Sequence, residues 1–128
     1  MSLHHRRILL PLLAMAMVVP VCRADMTVKV YLEGRKSAEK SGVVGVYLNG
    51  VGQGFDWANY WLKNKGETPM YCNPQALPLS GDLFLKMVDR QIELLRPRMS
   101  KADLNAMPVP LLLQKALVEA FPCPAPEK

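Results

Sequence analysis

Thiols are the groups in this chain with the widest chemistry, and there are three of them: Cys22, Cys72 and Cys123. A thiol can serve as a nucleophile beside a base, as a metal ligand, or as one half of a disulfide. The two histidines, His4 and His5, lie at the start of the chain, far in sequence from Cys72 and Cys123. No Cys-x-x-Cys spacing occurs, so a redox-cycling pair is not indicated, and no second cysteine pair offers a zinc site. Carboxylates give no better lead. Asp82, Asp89 and Glu93 fall on the polar side of a helical pattern, with no apolar setting to mark one out as an acid or base. The expectation is a protein that is not an enzyme and uses no metal or cofactor.

Both later cysteines sit at proline corners, Tyr71-Cys72-Asn73-Pro74 and Phe121-Pro122-Cys123-Pro124. Whether they pair depends on the redox compartment, so the N-terminus decides the first question. Met1 to Arg7 is basic, Ile8 to Val21 is an uncharged apolar run, and Cys22-Arg23-Ala24 places residues suited to a signal peptidase. The run is too short to span a bilayer of about 30 Å. Residues 1–24 therefore read as a signal peptide cleaved before Asp25, leaving a periplasmic domain over 25–128 with no stable membrane anchor. Acylation of Cys22 is the rival reading, but such processing wants a small residue before the cysteine, and Val21 stands there.

Removing residues 1–24 takes away Arg6, Arg7 and Arg23, which leaves 13 basic and 11 acidic residues and a net charge of +2. The basic character of the whole chain belongs largely to the signal, and it implies no nucleic-acid partner. Cys22 leaves as well. An even pair in a small exported domain reads as a disulfide, Cys72 with Cys123. The loop it closes has a chain-entropy value of about 4 kcal/mol, against about 5–15 kcal/mol for the net stability of such a domain.

The elements that must position this pair are uneven in clarity. Residues 26–34 fit a short helix capped by Thr27 and stopped by Gly34, or a strand through Val28, Val30 and Leu32. Residues 41–62 are ambiguous too. Asn49-Gly50 between β-branched and aromatic residues signals a hairpin, whereas Val43/Val44, Tyr47/Leu48 and Val51 recur with helical spacing. In the helical reading Gly42, Gly45, Asn49 and Gly52 line a face small enough for a neighbouring helix to pack close. Trp57, Tyr60 and Trp61 read as a further helical turn facing the core, with a partner-binding patch as the alternative. Ser80 caps the clearest helix, which carries Phe84, Leu85, Met87, Val88, Ile92 and Leu95 inward and ends at Pro97. Arg98 to Met107 is a polar, exposed connector. Pro108 and Pro110 open a last helix that buries Leu112, Leu113, Ala116, Leu117 and Ala120.

Three segments, in order, resemble the Rap/Tai immunity proteins, which protect bacteria from amidases delivered by type VI secretion. They are Gly45-Val46-Tyr47-Leu48-Asn49-Gly50-Val51, then Tyr71-Cys72-Asn73-Pro74, then Ala116-Leu117-Val118-Glu119-Ala120-Phe121-Pro122-Cys123. The likeness spans nearly the whole of residues 25–128. Some relatives carry further cysteines in the first helix, and Val28 to Gly34 has none. The resemblance implies a small all-α domain of about four helices with one disulfide, and it turns residues 41–62 from hairpin to helix. It also implies a peptidoglycan amidase effector as partner, homodimers, and inhibition by steric occlusion of the amidase cleft.

The segment best placed to enter such a cleft is the stiff connector between Pro97 and Pro108, through Arg98, Ser100, Lys101, Asp103 and Asn105. Two other readings compete: a disulfide-stapled periplasmic chaperone or stress protein without a dedicated enzyme partner, and a subunit of an envelope assembly. Buried Trp57 and Trp61 would favour the immunity reading, and exposed ones the chaperone.

Overall fold

The computed structural model describes residues 25–74 and 79–124. Residues 1–24, where the sequence reading places a signal peptide, lie outside them, as do residues 75–78 and 125–128. The described residues are all-α, with five helices: α1 Val28–Gly34, α2 Ala38–Asn64, α3 Gly81–Leu95, α4 Lys101–Ala106 and α5 Val109–Ala120. The only sheet-like feature among them is an isolated antiparallel bridge between Thr27 and Pro108.

Local chemistry explains where these helices start. Thr27, Ser37, Ser80 and Ser100 each turn a side-chain oxygen onto a free N–H of the first turn, which satisfies one of the donors that a helix start leaves open. α5 has no such side-chain cap and uses Pro108 and Pro110 instead, whose missing N–H groups would have been unpaired there anyway. At the far end of α2, Gly66 adopts a positive φ of 72°, a conformation that costs glycine little.

Residues 26–34 resolve as a helix and residues 41–62 as part of one unbroken helix of 27 residues. Tertiary packing overrides the hairpin signal of Asn49-Gly50. The inward arc of α2 carries Val44, Leu48, Gly52 and Asn59, all buried, and α3 lies along it. Gly52 shows why the small face matters: a Cβ placed there would stand 2.2 Å from Cε2 of Phe84. Phe84 is itself fully buried, so its ring occupies the volume that the glycine leaves open.

α3 also packs on α5, and α1 rests on both α2 and α4. Their shared core is Val28, Tyr31, Leu48, Phe84, Val88, Ile92, Val109, Leu112, Leu113 and Leu117 with their neighbours. Ala120, expected in that core, is exposed, at the last residue of the helix, where Phe121 leaves the helical conformation with φ −130° and ψ 61°. Tyr31 fastens α1 to α3 by donating its hydroxyl to Asp89 Oδ1 at 2.6 Å. Arg35 adds an ion pair to the other oxygen of Asp89 at 3.4 Å. That pair is partly exposed and worth little by itself.

Replacing Gly52 with alanine gains about 1 kcal/mol of helix propensity but overpacks the Phe84 ring at a cost of about 1–3 kcal/mol. Gly52→Ala is therefore expected to be net destabilising, by up to about 2 kcal/mol in urea unfolding. A variant as stable as the parent would show that the ring has room to move.

Candidate binding surface

Cys72 and Cys123 are bonded, with Cα atoms 4.8 Å apart. The pairing read from the sequence is the one that the structure contains. The two corners also meet through the backbone, the N–H of Cys72 donating to the carbonyl of Phe121 at 2.8 Å. Residues 70–74 have no regular secondary structure, so their polar backbone groups need partners from elsewhere.

Asn59, buried on α2, supplies two of those partners. Its Oδ1 accepts from the N–H of Met70 at 2.8 Å, and its Nδ2 donates to the carbonyl of Tyr71 at 3.0 Å. Tyr71 is buried beside it and donates its hydroxyl to Asp56 Oδ1 at 2.5 Å. The sequence reading missed Asp56 and Asn59. Their only signal was two polar residues, three apart, on a helix otherwise rich in apolar and small groups.

Burial and the hydrogen bond to Asp56 raise the pKa of the Tyr71 phenol, and burial and the bond to Asp89 do the same for Tyr31. Both phenols thus stay protonated well past the ordinary tyrosine range. A lesser polar cluster joins α3 to α5. Gln91, buried, donates to Glu119 Oε2 at 2.6 Å, and Lys115 holds the other oxygen. The bond from Lys115, followed by that from Gln91, lowers the pKa of Glu119.

The expected contact segment differs from the loop that the sequence suggested. Residues 101–106 form α4, and only its lead and its outer side face solvent. Arg98 and Lys101 are exposed. Ser100 and Asp103 are exposed but close on each other: Ser100 Oγ accepts from the Asp103 N–H at 3.1 Å and donates to Asp103 Oδ2 at 2.7 Å. Ser100 is thus a side-chain N-cap whose hydroxyl is held in place by the Asp103 carboxylate three residues on, a pattern the sequence carried as Ser-x-x-Asp. Asn105 is partly buried, beside the buried Leu104. α4 exists because Leu104 reaches the core and because Val28 and Val109 donate backbone bonds to Met107 and Met26 at 2.9 and 2.8 Å.

The core reading of Trp57, Tyr60 and Trp61 is wrong. They are 64%, 54% and 61% exposed. The cause is the continuity of α2: at 100° per residue, the arc through Val44, Leu48, Gly52 and Asn59 is fixed upstream, and the three rings fall on the opposite arc. Their contacts are with each other, edge to face, with centroids 5.9 Å apart for Trp57–Tyr60 and 6.4 Å for Tyr60–Trp61. The surface thus has two exposed regions of interest, the basic lead of α4 and the aromatic end of α2.

No group of three potential metal-ligating side chains occurs among the described residues, and none of their helices is long and apolar enough to cross a membrane. The chain matches no family model, no curated protein and no solved structure.

Two outcomes are expected. Cys72→Ser with Cys123→Ser should lose about 4 kcal/mol of stability, and Asn59→Ala should lose about 2–3 kcal/mol by leaving buried backbone groups unpaired. Urea melts with and without reductant check both, and a parent insensitive to reductant would contradict the first. The pH dependence follows from the two phenols. Each holds its proton more tightly folded than unfolded, so its contribution is whole below the unfolded value of about 10 and is lost as pH rises through the folded value. Unfolding midpoints should not respond to these phenols from pH 7 to about 10. Above that they should fall, less steeply in Tyr31→Phe and Tyr71→Phe.

Proposed function

We propose that the protein works by binding and not by chemistry, as an exported immunity protein that occupies the cleft of a peptidoglycan amidase delivered by type VI secretion. The observation that carries this reading is the convergence of the segments that resemble the Rap/Tai proteins. Gly45–Val51 lies on α2 against α3, and the Tyr71–Pro74 and Phe121–Cys123 corners are covalently joined. Residues that are scattered along the sequence thus belong to one stapled framework. Such a framework is what a steric inhibitor needs, since a segment held rigid loses little entropy on entering a cleft. Periplasmic localisation fits the disulfide, which persists in oxidising compartments.

In this proposal the blocking element is the lead and first turn of α4, through Arg98, Ser100, Lys101, Asp103 and Asn105. Capping makes Ser100 and Asp103 structural, so Arg98 and Lys101 are the side chains free to meet the amidase. A second reading has its own support. Exposure of Trp57 and Trp61 is the feature that would favour a stapled periplasmic chaperone or stress protein, with the rings receiving apolar segments of unfolded clients.

A toxicity assay separates them. An amidase from a neighbouring reading frame, directed to the periplasm, should halt growth, and co-expression of this protein should restore it. Arg98→Glu with Lys101→Glu should abolish rescue while leaving the melting temperature unchanged. If no encoded amidase is neutralised and no hydrolase co-purifies, the immunity reading fails. Suppression of client aggregation that is lost in Trp57→Ser with Trp61→Ser would establish the chaperone instead.

A further inference from the structure

The outer face of α2 is apolar and has no role in the fold. Val43, Val46, Gly50, Trp57, Tyr60 and Trp61 lie within about a third of a turn of one another. The two valines are 66% and 76% exposed. An added Cβ at Gly50 or Gly54 would meet nothing within 4 Å, so the middle of the face is low and its two ends stand out. Val46 and Trp57 are about 16 Å apart along the axis, and two raised ends on one unbroken helix touch a plane together. Between Ser41 and Leu62 the only charged residue is Asp56. It lies about 100° around the helix from Trp57 and accepts the Tyr71 hydroxyl. Charge returns at both ends. Lys36 and Lys40 precede the face with Glu39 between them, and Lys63 and Lys65 follow it before Glu67. All four lysines are exposed, and none is in an ion pair among the described residues.

We propose that this face seats the domain on an anionic lipid bilayer, with α2 lying in the plane of the interface. Tryptophan and tyrosine join an apolar ring to a polar tip, and for that reason they gather where hydrocarbon meets water. Trp57, Tyr60 and Trp61 meet one another edge to face and leave more than half of their surface to solvent. In the seated domain the rings enter the headgroup boundary at one end of the helix and the valines enter it at the other. The lysines then stand at headgroup level, where their long stems let the ammonium groups reach phosphate. They outnumber the acids two to one at each end, so the attraction is to anionic lipid and not to neutral lipid. Glu39 opposes the seating, and its two lysine neighbours outweigh it. A protein client could take the rings, but it gives the paired lysines at both ends no counterpart. The contact is peripheral and reversible, and none of the described helices is long and apolar enough to cross a bilayer. It does not involve α4, so lipid binding and rescue from an amidase succeed or fail separately.

The test uses oxidised protein comprising residues 25–128. These residues contain all five helices and leave out the apolar run Ile8 to Val21, which would bind lipid by itself. Both tryptophans of the chain lie in the face, so their emission reports contact directly. Vesicles of equal parts phosphatidylglycerol and phosphatidylcholine should shift that emission to the blue, and vesicles of phosphatidylcholine alone should not. Raising the salt to about 1 M, where the screening length falls to about 3 Å, should weaken binding about tenfold. Lys63→Glu with Lys65→Glu should weaken it by a similar factor. Val46→Glu, which keeps both reporters, should also weaken it about tenfold, with an unchanged helical spectrum. No shift with either vesicle, an equal shift with both, or undiminished binding by Val46→Glu would each overturn the proposal. So would a blue shift that comes with rising protein concentration or with an unfolded client and not with vesicles, since the face would then belong to a protein partner.

Discussion

Residues 70–74 have to be buried in part without the hydrogen bonds of a helix, and the fold depends on how that is managed. Asn59 gives the segment one acceptor and one donor, and the Cys72 N–H finds the Phe121 carbonyl. Each bond contributes only about 1 kcal/mol when made, but leaving a buried partner empty costs about 1–3 kcal/mol. The arrangement therefore tolerates little rearrangement. The Cys72–Cys123 bond adds a different kind of constraint, acting on the unfolded chain by closing the C-terminal half into a loop. Between them, the side-chain bonds select one position for the corner and the disulfide keeps the end of α5 beside it. Once that corner is set, α5 is held against α3, and α3 presses Phe84 into the space above Gly52.

Much of this was legible from the residues because the signals were local. Ser80 and Pro97 bound α3, the prolines open α5, and the two cysteines at proline corners pointed to the disulfide that joins them. The helical state of residues 41–62 was not legible locally, since Asn49-Gly50 is a turn signal and the helix depends on α3 for support. The three rings were misplaced for a related reason. Their mutual spacing is helical in either case, and which side they face is set by the buried arc through Val44, Leu48, Gly52 and Asn59. α4 was missed because a six-residue helix has too few apolar positions to show a period. It is held by Leu104 and by bonds to Met26 and Val28, distant in sequence. Asn59 and Gln91 were invisible as core residues, because burial of an amide depends on partners that only the folded chain supplies.

α2 is the element in which stability and surface are most at odds. One arc fills the core, and the opposite arc leaves valines, two tryptophans and a tyrosine in solvent. Single exposed apolar residues are ordinary, whereas a continuous line of them is not. Small domains have little stability to spare, and glycines facing solvent reduce it further without any return inside the chain. The same face that costs the isolated chain most is thus the one best suited to a partner.

The α4 region illustrates the opposite arrangement, a short polar element made rigid from behind. Its far end is tied to the first residues of the described chain: Met107 accepts from Val28, and Val109 donates to Met26. The N-cap of Ser100, steadied by the Asp103 carboxylate, tightens its near end. A helix of six residues has no stability of its own, so its geometry is borrowed from α1 and the core beneath Leu104. Processing before Asp25 would keep Met26 and Val28 and hence keep α4 in place. Cleavage two residues later would remove the carbonyl that Val109 uses. If α4 is the surface that meets an amidase, the site of signal cleavage and the shape of the inhibitory element are linked through these two backbone bonds.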